Sequence, residues 1–244
     1  MGNDFFRFKQ FTIKQGDAAM KVGVDSVLLG AWACAVSTSI YTFAPRILDV
    51  GAGTGLLALM TAQRYPDAAI DAVEIDRDAC RQAIENVADS PWNSRIRVIC
   101  DDFIKYAEHC SLRYDLIISN PPYFTASLKA SDTKRNIARH NDSLPHRSLL
   151  EGSAKLLASS GTLAIVLPPA EASKFMDETA LHGLFVKRTL HVQSLPSKPV
   201  YRILAELSKM EHTREDQTLC IEKADRSGST DEYRQLTKDF YLKF

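Results

Sequence analysis

Apolar positions in this chain follow two rhythms, short unbroken runs and longer stretches at helical spacing, and from residue 46 the two alternate. Ile47-Leu48-Asp49-Val50 reads as a strand, Leu56 to Tyr65 as a helix that Pro66 stops, and Ile70 to Glu74 as a second strand. The helix predicted over Asp78 to Ala88 carries Ala79, Ala83, Ile84 and Val87 on one face. Strands follow at Arg95 to Cys100 and at Tyr114 to Ser119, where the unbroken Leu116-Ile117-Ile118 calls for burial on both faces, as in a parallel sheet. Beyond these lie a helix from His146 to Ala158, a turn at Gly161, a strand from Thr162 to Leu167 and a helix from Ala170 to His182. Strands at Val186 to Val192 and Val200 to Leu207, joined by a proline-bearing loop, are spaced to pair as a hairpin.

The flanks are less regular. Phe5 to Ile13 alternates like one strand, Gly16-Asp17 reads as a turn, and Asp25 is placed to cap a helix through Ser26 to Trp32. Residues 124–145 have little periodicity and predict a long loop. Ser229 with Glu232 has capping-box spacing before a last helix bearing Tyr233, Leu236, Phe240 and Tyr241. The alternation predicts one doubly wound α/β domain over residues 1–244, with a mostly parallel sheet and an antiparallel strand late in it. Residues 1–45 form an N-terminal cap segment and 46–244 the core.

Composition narrows the function more than the fold. Thirty basic residues cancel thirty acidic ones, so a nucleic-acid partner has to meet a local patch. Five scattered cysteines without a C-x-x-C pair predict neither a zinc site nor a disulfide framework, and no metal is expected. With no signal peptide and no long apolar span, the expectation is a soluble cytoplasmic protein without a membrane partner.

Chemistry gathers at strand ends. Asp49-Val50-Gly51-Ala52-Gly53-Thr54-Gly55 links a buried strand to a helix, the context of a nucleotide-binding turn. Leu56 stands where a dinucleotide loop has its third glycine, and Asp49 repels a pyrophosphate but attracts an ammonium, which favours S-adenosylmethionine (SAM) over NAD. Glu74 ends the next strand, where a carboxylate can accept from both ribose hydroxyls, with Ile75 behind it for the adenine face. The third strand ends at Asp101-Asp102-Phe103, an acid for the adenine amine and a ring to wall the base. The fourth ends at Asn120-Pro121-Pro122-Tyr123. Neither proline can donate to a ladder, so the strand stops with acceptors turned outward and a ring beside them, a fit for a planar group bearing an NH2. Each acid alone also fits a solvated strand end or helix cap. Acids at three successive strand ends before Asn-Pro-Pro-Tyr point to a ligand at the carboxyl edge of the sheet.

Asp49 to Gly55, Glu74, Asp102 and Asn120 to Tyr123 resemble the class I SAM-dependent methyltransferases that act on amino nitrogens. The Lys21-Val22-Gly23-Val24-Asp25-Ser26 to Gly30 segment, Ser90-Pro91-Trp92, Pro199 to Arg202 and Phe240-Tyr241-Leu242 resemble the bacterial valine-tRNA adenine-N6 methyltransferases more closely. The resemblance implies a Rossmann-like core, SAM as cofactor and methylation of the adenine 3′ of the anticodon. Asn120 through Tyr123 would hold and stack the base. Gly51, Gly53, Gly55, Asp49, Glu74, Ile75, Asp102, Phe103 and Asn120 would hold SAM, with Lys21 and Asp25 at its cap. Asp102 is preferred to Asp101 by position alone.

Lys129, Lys134, Arg135, Arg139 and Arg147 outnumber Asp132 and Asp142, five charges against two, which marks this stretch for tRNA phosphates. A solvated surface loop is the plain alternative. The chain is expected to act as a monomer. A protein-glutamine N5 or a DNA adenine-N6 methyltransferase fits the same acceptors, and a catalytically silent RNA-binding module is the reading from another class. A serine hydrolase is excluded for want of a G-x-S-x-G elbow.

Overall fold

The computed structural model describes residues 4–16, 21–33, 44–122 and 144–243. The N-terminal alternation is broken in two. β1 (Phe5–Arg7) and β2 (Thr12–Lys14) pair antiparallel, and the Phe8 N–H closes the turn onto the Phe11 carbonyl at 2.8 Å. The single strand expected over Phe5 to Ile13 is therefore a hairpin, its turn covered by the stacked rings of Phe8 and Phe11.

From residue 46 the strands form one eight-stranded sheet. β3 (Arg46–Val50), β4 (Ala69–Glu74), β5 (Ile96–Cys100), β6 (Tyr114–Ser119) and β7 (Leu157–Leu167) run parallel. β8 (Phe185–Gln193) and β9 (Val200–Ser208) form the expected hairpin, with β9 antiparallel between β7 and β8. β10 (Glu215–Cys220) adds a parallel edge strand, so the order is β10-β8-β9-β7-β6-β3-β4-β5. It escaped prediction because Glu215-Asp216-Gln217-Thr218 is exposed on both faces and carries no alternation.

Alternate strand residues feed two cores. Ile47, Leu116, Ile118, Ala164, Val166 and Leu204 face one layer, and Leu48, Val50, Ile117, Leu163, Ile165 and Leu167 the other. The first layer holds α1 (Val24–Ala33), α2 (Leu56–Arg64), α3 (Arg77–Ala88), the N-terminal hairpin and the C-terminal Phe240. The second holds α4 (Phe103–His109), α5 (His146–Leu156) and α6 (Pro169–Glu178). A 3-10 turn at Thr179–His182 continues α6. At seven residues, α4 is too short to show a helical period in sequence.

Several expectations are corrected. Ile84 is half-exposed, because the buried stripe of α3 runs through Cys80, Ala83 and Val87 with Asn86 beside it. Gly161 lies inside β7 rather than in a turn: a Cβ there would come within 2.7 Å of the Tyr114 carbonyl, so glycine permits the close approach of β6. The last helix, α7 (Asp231–Thr237), is capped by Thr230 and not Ser229, and Phe240 and Tyr241 lie beyond its end. Cys80 and Cys100 form a disulfide with Cα atoms 5.8 Å apart, against the expectation from scattered cysteines. The β4-α3-β5 crossover brings the end of β5 back beside the start of α3, a proximity that spacing does not reveal. Among the described residues no helix is long and apolar enough to cross a membrane.

Candidate active site

β3 has β4 on one side and β6 on the other, so the chain reverses its direction of winding there and a crevice opens at the carboxyl ends of β3 and β6. The glycine loop leaves β3 and Asn120 leaves β6 at that point. The Ser119 hydroxyl donates to the Val50 carbonyl at 2.8 Å and ties the two tips together. Gly51 and Ala52 donate their N–H groups to the Val73 carbonyl. Gly51 and Gly53 adopt φ of 69° and 55°, left-handed backbone that disfavours side chains. A Cβ built on either meets nothing within 4 Å, so the loop leaves its backbone open to close approach. Gly55 is also left-handed, at the N-terminus of α2.

Asp49 is fully buried, and one oxygen accepts from the Ala58 N–H at 2.9 Å. It thus caps α2, whose own cap residue Gly55 has no side chain to offer. The other oxygen is buried without a partner among the described residues. Burial pushes the Asp49 carboxyl up to about 7, opposed by the Ala58 hydrogen bond and assisted by the Glu74 charge.

Glu74 is nearly as buried, with Oε2 on the Gly53 N–H (2.7 Å) and Oε1 on the Asp76 N–H (2.8 Å). Burial raises its pKa as well, and those two hydrogen bonds pull it back. Each Glu74 oxygen keeps a second lone pair for a ribose hydroxyl. Two buried acids that resist ionisation at adjacent strand tips suit a ligand that brings positive charge.

At the tip of β5, Asp102 caps α4 through Ile104 N–H (2.7 Å), while Asp101 turns onto the Asp102 N–H (2.8 Å). Phe103 is corrected: its ring is buried in the second core against α5, where a Cβ on Gly152 would strike it at 2.5 Å, so it is no wall for a base. Ile75 and Ile104 are the exposed apolar side chains beside Glu74 and Asp102.

The Asn120 Nδ2 donates to the Ser26 hydroxyl at 2.8 Å, and its Oδ1 is buried with no partner among the described residues. Pro121 is buried and Pro122 exposed. Asp25 sits inside the first turn of α1 and not ahead of it, and it pairs with Arg202 Nε at 2.7 Å, while Lys21 lies exposed on the approach to the helix. Tyr123, Lys129, Lys134, Arg135 and Arg139 lie outside the described residues.

Ser26 and Arg202 lie in segments that carry the family resemblance but had no site role from sequence, and Asn86 had neither. Asn86 accepts from Lys14 N–H and donates to the Lys14 and Thr54 carbonyls, joining the hairpin to the glycine loop. A hollow of about 300 Å³ lined by Lys9, Gln10, Gln63, Arg64 and Asp239 lies at the opposite end of α2 from that loop.

The methyltransferase small domain family model matches residues 35–194. Over its full length the chain is 47% identical to the tRNA1(Val) (adenine(37)-N6)-methyltransferase of Bacteroides fragilis (strain YCH46), covering all of that protein. It is 43% identical to the protein of the same description from Pectobacterium carotovorum, over 98% of this chain and 94% of that one. Solved structures with the same fold include a predicted O-methyltransferase from Agrobacterium tumefaciens, with TM-score 0.61, 18% identity and coverage of 88% of this chain and 96% of that one. A glycopeptide N-methyltransferase complexed with SAM matches with TM-score 0.53 and 13% identity, over 76% of this chain and 95% of that one.

Proposed function

The chain belongs to the methyltransferase small domain family, among the tRNA1(Val) (adenine(37)-N6)-methyltransferases, and from that premise we propose that it methylates the N6 amine of adenine 37 in valine tRNA with SAM. The observation that carries the chemistry is the Asn120 Oδ1, buried at the switch point of the sheet with no partner among the described residues.

The residues present fit SAM. The open backbone at Gly51 and Gly53 would admit the cofactor, Glu74 would take the ribose hydroxyls, and Asp102 or Asp101 the adenine amine, with Ile75 against its face. Asp49 behind the loop would draw the amino-acid ammonium, directly or through water. When bound, SAM supplies an electrophilic methyl on a sulfonium.

The N6 lone pair is delocalised into its ring and is a poor nucleophile. Asn120 Oδ1 and the Pro121 carbonyl would each accept one amine hydrogen, which holds the nitrogen in place and favours a lone pair turned out of the ring plane. Alignment and fixed dipoles then do the work without a strong base. Tyr123 would stack on the base, and Lys129, Lys134, Arg135 and Arg139 would meet phosphates. We place this reaction in the cytoplasm.

The test is labelled SAM offered in parallel with tRNA lacking N6-methyladenosine, duplex DNA and a glutamine-bearing protein. Label in the tRNA adenine supports the reading; label in DNA or glutamine selects one of the alternative acceptors. SAM binding without transfer to any of them would leave a silent binding module.

A further inference from the structure

We propose that Ser26 is a positioning residue that sets which end of the Asn120 side-chain amide faces the target amine; this rests on the catalytic reading of Asn120. An amide has a donor end and an acceptor end of nearly the same shape, and only the acceptor end can hold an amine hydrogen. Among the described residues, Ser26 is the one group that hydrogen-bonds the Asn120 side chain. The Ser26 hydroxyl chooses between the two ends, by accepting from Asn120 Nδ2 at 2.8 Å and leaving Oδ1 turned away from it, buried and without a partner among the described residues. A hydroxyl that gave its proton to Asn120 instead would reverse the amide and present NH2 to NH2. A helical serine can send its proton to a carbonyl one turn back, which leaves a lone pair for Asn120.

The support beneath Ser26 is rigid. Every residue of α1 from Val27 to Ala33 is buried. The helix lies so close to α2 that a Cβ on Gly30 would meet the Met60 sulfur at 2.7 Å. On its other side, Asp25 is held by Arg202 of β9, at 2.7 Å and largely out of solvent. The hydroxyl is thus carried by a packed element outside the strand it serves, the arrangement that keeps a catalytic group within a narrow geometry.

Thr and Val share one shape and differ by a hydroxyl, so they separate hydrogen bonding from packing. Single-turnover methyl transfer to tRNA is measured for Ser26→Ala, Ser26→Val, Ser26→Thr and Asn120→Ala, with SAM and tRNA affinities determined for each. Ser26→Ala and Ser26→Val should be slowed roughly tenfold to a hundredfold, the scale of a misplaced reacting group. Both affinities should stay within about twofold, and Ser26→Thr should retain most of the rate. Ser26→Ala and Ser26→Val as fast as wild type beside a slow Asn120→Ala would overturn the role of Ser26 alone. Equal losses in Ser26→Thr and Ser26→Val would assign Ser26 to packing and overturn it too. A fast Asn120→Ala would show that the reading of Asn120 itself had failed.

Discussion

Glu74 accepts a hydrogen bond from the backbone N–H of Gly53 at 2.7 Å, so the carboxylate expected to hold ribose also holds the glycine loop in shape. Glu74→Ala should therefore weaken SAM binding by about 1.5–3 kcal/mol, the scale of a charged hydrogen bond, and loosen the loop with it. Calorimetric titration checks this. Unchanged affinity would return Glu74 to a purely structural strand end.

Gly53→Val should abolish SAM binding in a folded protein. The position has positive φ, and the open space around it is where the cofactor would approach. Retained SAM binding, measured by the same titration, would move the cofactor off this loop.

Asp49 gives a pH dependence with a definite sign. Its carboxyl is raised from 3.8 to about 7, so the folded protein holds a proton that the unfolded chain releases. The resulting stability is fully present below about pH 4 and is lost as pH rises through 7, by up to about 4 kcal/mol. Denaturant midpoints of wild type relative to Asp49→Asn should fall across that window. SAM brings positive charge and favours the ionised acid. Its affinity should therefore climb as pH rises toward 7, with proton release visible as a dependence of the binding heat on buffer. A flat difference between the two proteins would contradict this.

The Cys80–Cys100 link closes a loop of 20 residues at the rim of the site. Chain entropy for a loop of that size amounts to about 3 kcal/mol. Reduction, or Cys80→Ser, should lower the unfolding free energy by up to that amount. Equal stability of oxidised and reduced protein would contradict it.

What the sequence revealed and what it hid divide along one line. Strand bounds such as Tyr114–Ser119 were legible because an apolar run ends in two prolines, and the glycine loop because its spacing is local. The crevice followed from those two, since the alternation puts both at strand ends. The groups that shape the site were not legible. Ser26 reaches Asn120 across 94 positions and Asn86 reaches Lys14 across 72, and polar pairs at such separations leave no periodicity. Phe103 misled for a related reason: following an acid at a strand tip did not reveal that its ring turns onto Gly152.

RNA recognition rests on charge alone. Arg135→Glu with Arg139→Glu should weaken tRNA binding, flatten its salt dependence and leave SAM affinity intact. An unchanged salt slope would move the phosphate contacts elsewhere, with Lys9, Lys14 and Lys21 the next residues to reverse.

The central claim is that Asn120 Oδ1 aligns the adenine amine for transfer. Single-turnover incubation of labelled SAM with tRNA lacking N6-methyladenosine, followed by nucleoside mapping, tests it on wild type, Asn120→Ala and Asn120→Asp. Wild type should place the label on N6 of adenine 37. Asn120→Ala should be slower by about a hundredfold or more, the scale of losing a preorganised electrostatic contact, with SAM affinity nearly unchanged. Asn120→Asp, which keeps an acceptor, should fall between them. Equal rates for Asn120→Ala and wild type would contradict the account.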